Sequence, residues 1–303
     1  MNNPYRINGP ALISFSGGRT SAYMLKQILD AHNGALPDDV HVCFANTGKE
    51  REETLRFVHE CAARWDVRVH WLEWRDRRKR TPTRERFEEV GFNSASRHGE
   101  PFKALITSKK AVPNAVARWC TEHLKMQVCA DFMEAMGYDH WTNVVGLRAD
   151  EPRRLARKDK QNEEAKSPWT SVMPLAKARV TKRDVRMFWF GQDKVDLVIA
   201  PDALPQGFDL GLEEWEGNCT LCFEKGKRLL MHEVRRDSEE AADWVLMEKM
   251  GGATFTTEWS IADLLRAVAA QPLLPLDGDF REYDSECGVG GVDHTVRCGR
   301  KAA

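Results

Sequence analysis

The sequence predicts an α/β fold, a parallel twisted sheet flanked by helices in a Rossmann-like arrangement, with a helical C-terminal extension. Two observations lead there. Apolar runs that read as strands alternate with segments of helical period through the first half of the chain, and such alternation builds a parallel sheet wrapped by helices. The first strand also runs into a glycine pair and then directly into a helix, and ligands of such sheets gather at the carboxyl ends of the strands.

In chain order, residues 11–15 form an apolar strand, 16–21 a loop, and the segment from Ala22 to Leu29 a helix. Residues 40–46 are a second strand, 52–65 a helix, 67–74 a third strand and 141–148 a fourth. Residues 75–118 show weak periodicity and read as an inserted, partly mobile excursion. Its basic run, Arg75 to Arg80, is either a grip on a phosphate backbone or a solvated face. The arginines between Arg148 and Arg157 follow the fourth strand, where they suit an anionic substrate. Further on, residues 182–192 read as a helix, 195–199 as a short strand and 201–207 as a linker. Helical patterns return over 227–250 and 260–270, and the end around residues 286–291 is rich in glycine. The division expected is a nucleotide-binding domain over 1–225, carrying the insert, and a helical extension with a flexible tail over 226–303.

Composition narrows the class. The 303 residues carry 45 Lys and Arg against 46 Asp and Glu, so net charge names no partner. There is no run of eighteen apolar residues, and residues 1–6 lack the pattern of a signal peptide, which predicts a soluble protein with no membrane partner. Eight cysteines without a secretion signal argue against a disulfide framework and for metal, redox or core roles in a reducing cytoplasm.

The loop Ser16-Gly17-Gly18-Arg19-Thr20-Ser21 carries the chemistry. A strand that turns through two glycines into a helix aims backbone N–H groups and the positive end of the helix dipole at one small volume, which suits a phosphate or sulfate. Ser16, Thr20 and Ser21 add hydroxyl groups. The alternative is an ordinary βα turn with Ser and Thr at the helix start.

Four stretches in one order resemble the PP-loop superfamily, in particular the group around adenylyl-sulfate and phosphoadenylyl-sulfate (PAPS) reductases, which also holds ATP pyrophosphatase-type enzymes that put sulfur into nucleic acids. They are the loop itself, Phe44 to Lys49 with Glu53-Thr54, Val144 to Arg148, and Pro174-Leu175 ahead of Asp184-Val185. The resemblance implies an adenine nucleotide alpha-hydrolase-like sheet. It implies that the loop holds nucleotide phosphates, that Asn46, Thr47, Gly48 and Gly146 line the site, and that Arg148 meets the anionic end of the substrate; with ATP, Lys49 and Mg2+ would help the loop hold the leaving pyrophosphate.

The cysteines extend the resemblance. Adenylyl-sulfate reductases of this group hold a 4Fe-4S cluster on a Cys pair and a distant Cys-x-x-Cys, and here Cys120, Cys219 and Cys222 supply three thiolates. A zinc site or an inert pair are the other readings of Cys-x-x-Cys. Cys129 lies nine residues from Cys120, on the opposite face of a continuous helix, whereas His123 shares the face of Cys120. Cys43 and Cys61 read as core. Glu286-Cys287-Gly288 resembles the mobile tail motif whose cysteine attacks the sulfate sulfur in sulfonucleotide reductases, though Gly290 stands where the family places a histidine and His294 comes later.

Three functions follow. In the first, the protein cleaves ATP to AMP and pyrophosphate, adenylates an acceptor such as a nucleic acid, and directs sulfur from a donor such as a cysteine desulfurase to the activated position. In the second, it reduces adenylyl sulfate or PAPS to sulfite, with Cys287 as nucleophile and thioredoxin as reductant. In the third, it is a nucleotide sensor without catalysis.

Overall fold

The computed structural model describes residues 3–76, 82–191 and 204–270. The expected strand over 195–199, the run Arg77-Arg78-Lys79-Arg80, and the tail with Cys287, His294 and Cys298 lie outside the described residues.

β1 (Ala11–Ser14) is buried along its whole length and occupies the middle of the sheet. It pairs in parallel with β2 (Val40–Asn46) on one side and β5 (Trp141–Val144) on the other, so that Ile13 lies level with Val42 and Val144. β3 (Val69–Trp74) extends the sheet beyond β2, and β6 (Trp169–Val172) extends it beyond β5, both in parallel. β4 (Phe87–Val90) closes the β3 edge in antiparallel fashion, giving the order β4-β3-β2-β1-β5-β6 among the described residues. The chain leaves β1 toward β2 and β3 and later returns to β5 on the far side. The loop after β1 therefore opens at the point where strand order reverses, the position at which open α/β sheets take ligands.

Successive residues of each strand point to opposite faces, and the two faces carry different cores. Ile13, Val42, Phe44 and Trp71 pack with α1 (Arg19–Ala31), α2 (Glu52–Arg64) and α8 (Lys182–Phe190). Leu12, Cys43 and Leu72 pack instead with Val128, Cys129, Phe132 and Met133 of α5 (Val128–Ala135). Helix α8 begins on a capping box, Thr181 with Asp184, and stops at Gly191 in the left-handed region.

Several elements depart from the sequence reading. The insert is built rather than irregular: it holds β4 and α3 (Glu100–Lys109). β4 reads Phe-Glu-Glu-Val, too short and too charged to announce a strand, and α3 joins a third core instead of the sheet. That core gathers Phe102, Leu105 and Ile106 with residues of α9 (Lys227–Arg236), α10 (Ser238–Gly251) and α11 (Ile261–Ala270). The helical stretch expected over 227–250 divides at Asp237, whose side chain accepts from the N–H of Glu240 and starts α10. The strand expected over 141–148 ends at Val144. After it come α6 (Pro152–Glu164) and, past β6, α7 (Pro174–Lys177). No described helix is long and apolar enough to cross a membrane.

Candidate functional site

The site grows from the end of β1. Gly17 lies at φ +79°, which glycine adopts without strain. A Cβ placed there would stand 2.6 Å from Cγ2 of Thr54 and 3.0 Å from Cγ2 of Val58, so this backbone rests directly on α2. Gly18 is the extended N-cap of α1 and offers no side-chain cap. The start of a thirteen-residue helix is thereby left with its N–H groups and positive dipole end for an external anion. Ser16 Oγ donates to Ser21 Oγ at 3.0 Å, and Ser21 Oγ donates to the Gly18 carbonyl at 2.9 Å, which fixes the hydroxyls around the turn.

Two pieces arrive from β5. Gly146 packs on the turn, where a Cβ would lie 3.5 Å from Cα of Ser21. Arg148 donates from Nη1 to Thr20 Oγ1 at 3.1 Å and from Nε to Asp150 Oδ1 at 3.0 Å, while its backbone N–H donates to Glu151 Oε2. Burial works to raise the Asp150 carboxyl. Hydrogen bonds from the Lys182 N–H and from Arg148 outweigh it and hold the pKa below the usual carboxylate range. The structure thus brings Ser16, Gly17, Gly18, Thr20, Ser21, Gly146 and Arg148 into one place.

Other expected residues make contacts within the protein. The Arg19 side chain turns away from the loop, making two hydrogen bonds to Asp209, one to the Leu212 carbonyl at 2.8 Å, and a stacking contact over Phe190. The Lys49 side chain is 2% exposed, and its ammonium is held by Glu240 at 3.0 Å and Asp243 at 2.6 Å, both on α10. Asn46 is fully buried: Nδ2 donates to Glu73 and to the Ser96 carbonyl, and Oδ1 accepts from the Gly48 N–H. Thr47 donates to Glu50 through both N–H and hydroxyl, and Gly48, at φ +77°, packs on the backbone of Gly99. The Asn-Thr-Gly turn therefore shapes the loop through internal bonds.

The Cys219-x-x-Cys222 turn lies against the other flank of the loop. Residues 218–220 pair with 49–51: the Arg51 N–H donates to the Asn218 carbonyl and the Thr220 N–H to the Lys49 carbonyl. Asn218 Nδ2 donates to the Ser16 carbonyl at 2.8 Å. Cys219 Sγ stands 3.6 Å from Glu50 Oε1 and 3.7 Å from Lys125 Nζ, and Lys125 and Glu50 pair at 3.3 Å. Behind the turn, Glu233 accepts from Arg51, from Lys225 at 2.6 Å and from the Leu221 N–H at 2.9 Å, a buried anchor with both cations on it.

Cys120 is the middle residue of α4 (Trp119–Thr121), between Arg118, which pairs with Glu224, and Lys125, which reaches Cys219. Cys129 joins the core under the sheet, where burial pushes its thiol up to about 12. The helix between them is not continuous α, because Glu122–Gln127 is a π-helical segment. Lys125, five residues from Cys120, comes round by about one π turn, a placement that α-helical spacing does not reveal. Cys43 and Cys61 are core residues whose thiols burial raises well above the usual range.

Among the described residues, no group of three or more His, Cys, Asp or Glu is arranged to hold a metal ion. Cys219, one of the three cysteines expected to hold an iron–sulfur cluster, lies against Glu50 and Lys125. Trp71, Trp74, Trp141, Trp189 and Trp244 are buried. Arg75 is paired with Glu73 and Glu88, Arg86 lies 3.7 Å from Asp131, and Arg84 covers the Phe87 ring.

The family model for the phosphoadenosine phosphosulfate reductase domain matches residues 10–193, a span that holds the loop, the Asn-Thr-Gly turn and Arg148. The chain belongs to this family. PAPS reductase-like proteins of the PP-loop type bind nucleotides, and members of the family are usually enzymes. It is similar to an uncharacterized nin region protein, ORF290, of Escherichia phage lambda, with 28% identity over 220 residues, 71% of this chain and 66% of the phage protein. It is also similar to the uncharacterized protein MJ0066 of Methanocaldococcus jannaschii, with 27% identity over 159 residues, 52% of this chain and 27% of the archaeal protein. The chain thus spans less than two thirds of either relative. No solved structure matches it.

Proposed function

We propose that this PAPS reductase-like chain binds ATP, cleaves it between the α and β phosphates, and leaves AMP on an oxygen of an acceptor that sulfur then displaces. The observation that carries the reading is the phosphate loop itself. Gly17 is held in a conformation and a space that only glycine fits, the α1 N-terminus behind it is uncapped, and Arg148 is fixed at Thr20. In-line attack at the α phosphate needs the departing pyrophosphate held by donors already in place. Backbone N–H groups after Gly17, the Thr20 hydroxyl and the Arg148 guanidinium are such donors, with Ser16 and Ser21 fixing the turn.

Sulfur transfer belongs to this reading because a thiol flanks the loop: Asn218 ties the Cys219 turn to Ser16, and the Cys219 sulfur lies against Lys125 and Glu50. A nucleic-acid acceptor and a cysteine desulfurase as donor are the partners it calls for. The second reading, a reductase that releases sulfite from adenylyl sulfate or PAPS with thioredoxin, is favoured by the family's own name and by the Glu286-Cys287-Gly288 motif.

Nucleotide products after anaerobic incubation separate the two. AMP and pyrophosphate from Mg-ATP, rising when an acceptor is added, is the expected result. Sulfite from a sulfonucleotide, lost on Cys287→Ser, with ATP untouched, would replace the proposal with the second reading.

A further inference from the structure

Lys158 is 1% exposed. It lies on the sheet-facing side of α6, one turn before Asn162, whose amide is bonded on both sides to the Ser171 backbone of β6. Among the described residues, no hydrogen-bond acceptor and no carboxylate pairs with its ammonium. Burial above all, and then the positive charges of Arg157 and Arg154, lower its pKa to about 8. At neutral pH the group is thus still mostly a cation, and a buried cation is costly unless an anion shares its site.

Arg154 is one helical turn back, on the same face. It pairs with Glu151, which also accepts from the Arg148 N–H, and Arg148 reaches Thr20 of the loop. A connected row of cations therefore runs from the phosphate loop along the buried side of α6, on the flank opposite the Cys219 turn.

We propose that Lys158 and Arg154 form a second anion seat, separate from the loop, that takes a terminal phosphate of the molecule reacting there. Two adjacent cations match a dianion better than a carboxylate. A side chain so deeply buried is reached by a slim terminal group and not by the backbone of a folded nucleic acid.

Thermal melting of the full chain against rising inorganic phosphate, at ionic strength held constant with sodium chloride and with sodium acetate as a control, tests the seat. Expected are a saturable rise in Tm in the wild type, retained in part by Gly17→Ala, and an apparent affinity at least tenfold weaker in Lys158→Met. Without phosphate, Lys158→Met should melt above the wild type, because an apolar chain of similar length replaces a buried, uncompensated charge. If Lys158→Met does not fold, Arg154→Gln is the second variant and should lose the same saturable component. The seat is overturned if phosphate shifts wild type and variant alike, if acetate acts as strongly as phosphate, or if no saturable shift occurs. Failure to cleave ATP with the phosphate effect intact would count against the proposed function and leave the seat standing.

Discussion

Gly17 is the residue on which the loop depends. Replacing it with alanine forces a Cβ into Thr54 and a side chain into the left-handed region, for a combined cost of about 1–3 kcal/mol. Gly17→Ala should lower Tm moderately and weaken ATP binding at least tenfold by calorimetry. Unchanged affinity would remove the loop from the site. Arg19 should behave in the opposite way. Its pair with Asp209 is largely buried, so Arg19→Ala should cost about 3 kcal/mol in denaturant unfolding. Its effect on ATP affinity, measured well below the melt, should be smaller than that of Gly17→Ala. At this scale the backbone chemistry was legible in the sequence and side-chain direction was not. Ser-Gly-Gly before a helix points to the turn, but nothing local says that Arg19 leans toward Asp209, 190 positions away, or that Lys49 is claimed by a helix near the end of the chain.

Among the elements, α10 is docked by charge. Its Asp243 accepts from Lys49 beside β2 and from Lys103 on α3. Burial works to raise the Asp243 carboxyl, but the hydrogen bonds from Lys103 and Lys49 prevail and its pKa is lowered. A carboxyl depressed on folding contributes stability that is fully present above the unfolded value, about 4, and is lost as pH falls through the lower folded value. The Tm difference between wild type and Asp243→Asn should therefore stay constant from pH 7 to about 5 and shrink as pH drops below about 4. A difference that grows on acidification would contradict the docking role. The parallel strands were legible because buried strands are continuous apolar runs. β4 was hidden by its two glutamates and α6 by its high charge, since α6 buries little beyond a lysine. The π segment has no signature in hydrophobic spacing at all.

For the molecule as a whole, the loop after β1 stands between two flanks of different chemistry. On the β2 side the Cys219 turn brings a thiol with Glu50 and Lys125. On the β5 side Arg148, Arg154 and Lys158 bring positive charge. An enzyme that activates an acceptor with ATP and then delivers sulfur needs an anion grip and a sulfur carrier on the two sides of one phosphate site, and strand order creates both sides. Exchange of labelled pyrophosphate into ATP, measured with and without acceptor, addresses this most directly, because it requires reversible cleavage between the α and β phosphates. The account predicts exchange in the wild type, its loss in Gly17→Ala and a fall of at least tenfold in Arg148→Ala. No exchange under any acceptor condition, from a preparation that releases sulfite from adenylyl sulfate or PAPS, would contradict it.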